Sequence, residues 1–105
     1  MNEFNLVGKA LGKPELKESE TGNIYATVII ESKKPFKNKS GNYDTENFQL
    51  ICFKDLATLC KDKLTDGTGV IINGHMSSNN YAKEGKIYYS PSLVADRIEL
   101  ANELY

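Results

Sequence analysis

The 105-residue sequence contains one histidine, one arginine and two cysteines, and each scarcity removes a class of function. His75, Cys52 and Cys60 show no C-x-x-C spacing and supply too few ligands for a zinc site. No metal or other cofactor is expected, and both thiols read as small buried hydrophobes. There is no Ser/His/Asp arrangement, no phosphate-cradling G-x-x-x-x-G-K-[ST] and no framed carboxylate pair. His75 is therefore expected to be a packed strand residue, and the chain is not expected to be an enzyme. Apolar runs approaching the roughly 18 residues of a membrane span are also missing. The opening "MNEFNLVGKAL" lacks the basic flank and unbroken apolar stretch of a signal peptide, which points to the cytoplasm. Without internal repeats or low-complexity linkers, residues 1–105 read as one domain.

The near absence of arginine bears on recognition. Of the 13 basic residues all but Arg97 are lysines, which favours point-charge contact with phosphates over bidentate reading of base edges. A formal net charge of −1 and a pI near 5.8 argue against a generic polyanion binder. Distribution matters more than the sum. Acids gather at Glu15, Glu18 and Glu20, at Asp44 and Glu46, and at Asp96, Glu99 and Glu103. Lysines gather at Lys33, Lys34, Lys37 and Lys39, and again at Lys83 and Lys86.

What is present is mostly strand. "FNLVGKAL" (4–11) precedes a turn at "GKPE", and "NIYATVIIES" (23–32) alternates with Ile24, Ala26, Val28 and Ile30 on one face. "ENFQLICF" (46–53), "GVIINGHMSSNNY" (69–81) and "KIYYSPSLVADRIEL" (86–100) complete five strands, the last two joined by "AKEG". "KDLATLCKDKLTDG" carries Leu56, Leu59, Cys60 and Leu64 at helical spacing, with Asp55 as expected N-cap and Gly67 as expected C-cap. Three strands, a helix and two strands is the order of an OB-fold, an all-β five-stranded Greek-key barrel that binds oligonucleotides and oligosaccharides. Gly8 and Gly74 fall inside apolar strands, where glycine marks barrel corners, and "NG" at 73–74 reads as a bend rather than a hairpin turn. Pro91 implies a bulge or exposed edge in the last strand.

The ten aromatics are six tyrosines and four phenylalanines. Most rings in a small barrel fill its core, and Phe4 and Tyr25 are expected to pack. Phe36 lies in "KKPFKNK", too polar a segment to bury it, and Tyr81 opens the loop "YAKEG". Lysines beside an exposed ring suit a single-strand groove, with cations for the backbone and a plane for the base. The lysines also have a plain reading as the charged tip of a hairpin, and "NKSGN" is turn chemistry in either case.

Nearly the full chain resembles the bacterial and phage single-stranded DNA-binding proteins. "NLVGKALGKPELK", the segment from "ETGNIYATVIIE" to "LATLCKDKL", "GTGVIINGHM" and "EGKIYYSPSLVAD" follow that family's strand, hairpin and helix order. The resemblance implies an OB-fold assembled as a homotetramer, with a dimer as the alternative, around which single-stranded DNA wraps without sequence preference. It puts stacking positions at Phe36, Phe53 and Tyr81. It leaves Asn47 where a further stacking ring is expected, with Phe48 directed to the core or a subunit interface. The implied DNA path runs over Lys33, Lys34, Lys37, Lys39, Lys54, Lys83 and Lys86, with Lys9 a weaker member.

The chain departs from the family at Thr65, Asp66, Ser77, Asn79 and Asn80, where basic residues are common. It ends in "ANELY" without the flexible linker and acidic tip of cellular members, as expected of a compact phage or mobile-element member or of a sequence lacking its tail. Roles in replication, recombination or repair, and partners from those processes, are what the resemblance implies. An OB-fold assembly or primosome-type protein acting through protein partners, and an RNA-binding OB module, are the alternatives.

Overall fold

In the computed structural model, which describes residues 1–101, the chain runs β1 (Phe4–Ala10), β2 (Glu15–Glu18), β3 (Ile24–Lys37), β4 (Tyr43–Phe53), α1 (Asp55–Lys63), β5 (Gly69–Ser78), β6 (Tyr81–Lys83), β7 (Lys86–Tyr88) and β8 (Pro91–Leu100). Glu103 lies outside the described residues. β1 pairs with β5, β5 with β8, β8 with β4 and β4 with β3, and β3 returns to β1 through Lys9↔Glu31 and Ala10↔Ile30. Five strands thus close into a barrel. The β4–β8 pairing is parallel, through Leu50↔Leu93 and Ile51↔Val94. The helix follows the third barrel strand, as the OB order requires.

Alternation builds the core. Ala26, Val28 and Ile30 of β3 face inward opposite Cys52, Leu50 and Phe48 of β4. Ala10, Val70, Ile72 and Ala95 join them from β1, β5 and β8, and Ala57, Cys60 and Leu64 close over them from the helix and its exit. Each fully buried Val, Leu or Ile contributes roughly 1.5–3 kcal/mol through its removal from water. The Sγ atoms of Cys52 and Cys60 are 3.3 Å apart, both thiols are free and both are buried. The Cys60 contact and then burial push the Cys52 thiol far above the ordinary range.

Gly8 and Gly74 stand where neighbouring groups leave no room for a side chain. A Cβ on Gly8 would collide with the Glu31 carbonyl oxygen and the Ile30 side chain. One on Gly74 would collide with the Val94 carbonyl oxygen and the Phe4 ring. At Gly74 the β5–β8 register slips, Asn73 pairing with Arg97 and Gly74 with Ala95, so that Asp96 is the extra residue. "NG" is therefore a bend in a continuous strand, as expected.

Several local expectations are corrected. Glu15, read as the end of the turn "GKPE", opens β2, and residues 15–18 form an extra strand on the β3 edge that was not expected. The two long C-terminal strands are shorter than read, and a separate β6–β7 ribbon stands between them. Pro91 opens β8 rather than interrupting it, at an exposed first position where a missing N–H is tolerated. Asp55 is the first helical residue, not the N-cap. Lys54 holds the cap position at φ 54° without a side-chain cap bond, its N–H donating to the Ile24 carbonyl at 2.9 Å. At the other end Leu64, not Gly67, is the C-cap; its N–H bonds the Cys60 carbonyl at 3.0 Å. Gly67 lies further on and its N–H reaches back to the Ala10 carbonyl. Among the described residues no helix is long and apolar enough to cross a membrane.

Candidate nucleic-acid interface

The alternation that fills the barrel also fixes its outer wall. On β3 and β4 the outward residues pair as Tyr25↔Phe53, Thr27↔Ile51, Ile29↔Gln49 and Glu31↔Asn47. Phe53 is 45% exposed on this wall. Its cross-strand neighbour Tyr25, expected to pack inside, is half-exposed on the same face, because the period places odd β3 residues outward. Asn47 is exposed, while Phe48 opposite Ile30 packs against the core, as expected of a ring one residue out of phase. Phe4 also packs on the core.

Beyond the barrel β3 and β4 continue as an arm. Between the pairs Lys33↔Thr45 and Lys37↔Tyr43, three β3 residues (34–36) oppose the single β4 residue 44. Such a bulge tolerates Pro35, which cannot donate to a ladder, and it pushes its neighbour outward. Phe36 is 79% exposed. The tip is organised by Asn38, whose Oδ1 accepts from the N–H groups of Ser40 (2.9 Å) and Asn42 (3.0 Å) and whose Nδ2 donates to Asp44 Oδ1 (2.9 Å). Lys33, Lys34, Lys37 and Lys39 are all exposed on this arm. The Lys37 ammonium lies 5.8 Å from the Tyr43 ring centre, a cation–π contact. Asp44 and Glu46 on β4 partly offset the arm's charge.

The remaining candidates separate. Lys54 is exposed directly after Phe53, on a backbone tied to Ile24. Lys9 lies on the outer side of β1 with its Nζ 3.6 Å from Glu31 Oε1, so a carboxylate already answers its charge. Tyr81, Lys83 and Lys86 stand together on the β6–β7 ribbon, away from the arm in sequence. The ring of Tyr81 is stacked on Tyr88, with centres 5.2 Å apart and planes at 15°.

A groove of about 610 Å³ opens beside Phe53, walled by Ile51, Leu56 and Val94 and by the polar residues His75, Ser77 and Asp96. His75, expected to be packed in its strand, lies on the outer face with its Nδ1 at 2.8 Å from Asp96 Oδ2. The β8 bulge turns Asp96 toward it. Sequence reasoning missed this pair, Tyr25 and Tyr88. The alternation that sets Ile24, Ala26, Val28 and Ile30 on one face was the signal that could have found Tyr25 on the other, whereas nothing local announced the bulge.

A model of the single-strand binding protein family matches residues 1–101. The chain is 28% identical over 100 residues to "Single-stranded DNA-binding protein 3" of Listeria innocua, covering 94% of this chain and 62% of that protein. It is 29% identical over 100 residues to "Single-stranded DNA-binding protein 1" of Staphylococcus aureus, covering 94% and 64%. With "Single-stranded DNA-binding protein 1" of Streptococcus pyogenes the identity is 23% over 99 residues, covering 94% and 76%. The chain thus spans less than two thirds of the Listeria and Staphylococcus relatives.

Proposed function

The chain belongs to the single-strand binding protein family, and from that premise we propose that it binds single-stranded DNA without sequence preference. The role is one of binding, not catalysis. Phe36, Phe53 and Tyr81 offer planes for bases, and Lys33, Lys34, Lys37, Lys39, Lys54, Lys83 and Lys86 offer charge for the backbone. Lys9 contributes least, being paired with Glu31. The observation that carries the reading is Phe36, a large apolar ring held in water by a bulge and surrounded by lysines. Folding gains nothing from such a ring, whereas a stacked base gains roughly 1–3 kcal/mol.

We further read the 105-residue chain as one cytoplasmic domain acting in replication, recombination or repair. Half-exposed Val7, Ile29, Met76 and Leu100 on the barrel suit a homo-oligomer, a tetramer or a dimer. The uncharged groove residues Ser77, Ser78, Asn79 and Ser92 favour a second reading, in which protein partners share the surface.

Titrations with labelled oligo-dT, oligo-U and duplex DNA across a salt series test the proposal, with oligomeric mass measured alongside. Preferential, salt-dependent binding of oligo-dT is expected. Preference for oligo-U would move the reading to RNA, and weak binding to all three would move it to protein partners.

A further inference from the structure

The β6–β7 ribbon has a construction that the barrel does not need. Its register is Tyr81↔Tyr88, Ala82↔Ile87 and Lys83↔Lys86, in a two-stranded sheet of its own. Because strand residues two apart share a face, Tyr81, Tyr88, Lys83 and Lys86 lie together and Ala82 and Ile87 lie opposite. Glu84 and Gly85 both have positive φ, 51° and 77°, as a two-residue type I′ turn requires. All eight residues from Tyr81 to Tyr88 are exposed.

Two of these features work against folding. A lone two-stranded hairpin is marginal in water, and like charges directly opposed across strands destabilise it further. Lys83 and Lys86 have no carboxylate partner among the described residues. What compensates is an apolar cross-strand pair at the open end of the hairpin, which a leucine in place of either ring would preserve; here it is two stacked rings, the one stacked aromatic contact among the described residues. It holds Tyr81 rigid while leaving it 53% exposed, against 41% for Tyr88. A plane pre-set beside two uncompensated ammonium groups is the shape of a nucleotide site.

We propose that this face is a one-nucleotide clamp, in which a base stacks on the open side of Tyr81 and Lys83 and Lys86 hold one phosphate between them. Tyr88 is its positioning residue, backing the Tyr81 ring so that little freedom is lost when a base arrives. A phosphate between the lysines removes their repulsion, so binding and hairpin order reinforce one another. The inference rests on the single-strand reading above and adds Tyr88 and a shared phosphate to it.

The test is oligo-dT affinity of the full chain, measured by fluorescence polarisation at several salt concentrations. Tyr88→Leu is expected to weaken binding by about five-fold to a hundred-fold, close to the effect of Tyr81→Leu. The double variant is expected to be no weaker than the worse single one, and Tyr88→Phe to bind as the unaltered chain does. The salt slope should be unchanged in all of these. Lys83→Gln with Lys86→Gln should lower it by about 0.7 in total, one phosphate rather than two. Unaltered affinity of Tyr88→Leu, multiplicative losses in the double tyrosine variant, or a salt slope that falls with Tyr88→Leu would each overturn the clamp. The last would mark Tyr88 as merely structural, since a melted hairpin loses its lysine contacts too. Failure of the unaltered chain to bind oligo-dT would overturn the single-strand reading as well, which separates the two failures.

Discussion

The long β3–β4 arm and the short β6–β7 ribbon solve one problem in opposite ways. The arm is an extension of two barrel strands, anchored by the inward ladder from Ala26↔Cys52 to Ile30↔Phe48. It can therefore hold Phe36 alone, 79% exposed and with no ring contact among the described residues. The ribbon has no such anchorage and is a sheet of its own, so its ring is held by a second ring. An exposed aromatic needs rigid support, from distant strands or from a neighbour. The arm spends four lysines around a single ring, whereas the ribbon sets two lysines beside two rings.

The largest expected effect separates the two by charge. Replacing Lys33, Lys34, Lys37 and Lys39 by Gln should reduce the salt slope of oligo-dT binding by as much as about 3, at about 0.7 per lost phosphate contact. The ribbon lysines, as proposed above, should account for about one such contact. Equal slopes before and after the arm substitutions would mean that the arm does not follow the backbone. Next in size is Phe36→Ala, which should weaken binding by about 1–3 kcal/mol at any DNA sequence while leaving the salt slope alone. A titration giving unchanged affinity would remove Phe36 from the site. The smallest effect is a gain. Asn47 is exposed on the outer wall opposite Glu31, and Asn47→Trp should tighten oligo-dT binding by about 1 kcal/mol through one more stacking plane. Unchanged or weaker binding would show that DNA does not cross that part of the wall.

Much of this was legible in the chain. The alternation of Ala26, Val28 and Ile30, the helical spacing from Leu56 to Leu64 and the glycines at 8 and 74 lead to a barrel with one helix. That happens because burial imposes a period of two on strands and nearly four on helices. Less legible were features without a period. β2 is a short strand of mixed polarity, formed because β3 offers it an edge. Lys54 caps the helix although Asp55 is the better capping residue, since the ladder through Phe53 and the bond to Ile24 fix where β4 ends. His75 was expected to be a packed strand residue, but it lies on the outer face, where the β5–β8 slip at Gly74 brings Asp96 beside it.

The candidate site divides along the same line. Phe36 and its lysines are local: a polar segment cannot bury its ring, and composition alone says so. Lys9 shows the limit of composition, because its charge is answered by Glu31, distant in sequence and adjacent only once β1 meets β3. Tyr88 shows the converse. Its value lies in facing Tyr81 across a type I′ turn, a relation that exists only when the hairpin forms. The amino-acid order by itself determined which residues prefer water and which do not, and hence the barrel and the exposed ring. Which charges are spent on one another and which rings share a face were decided by strand register, because pairing between strands depends on closure of the whole sheet.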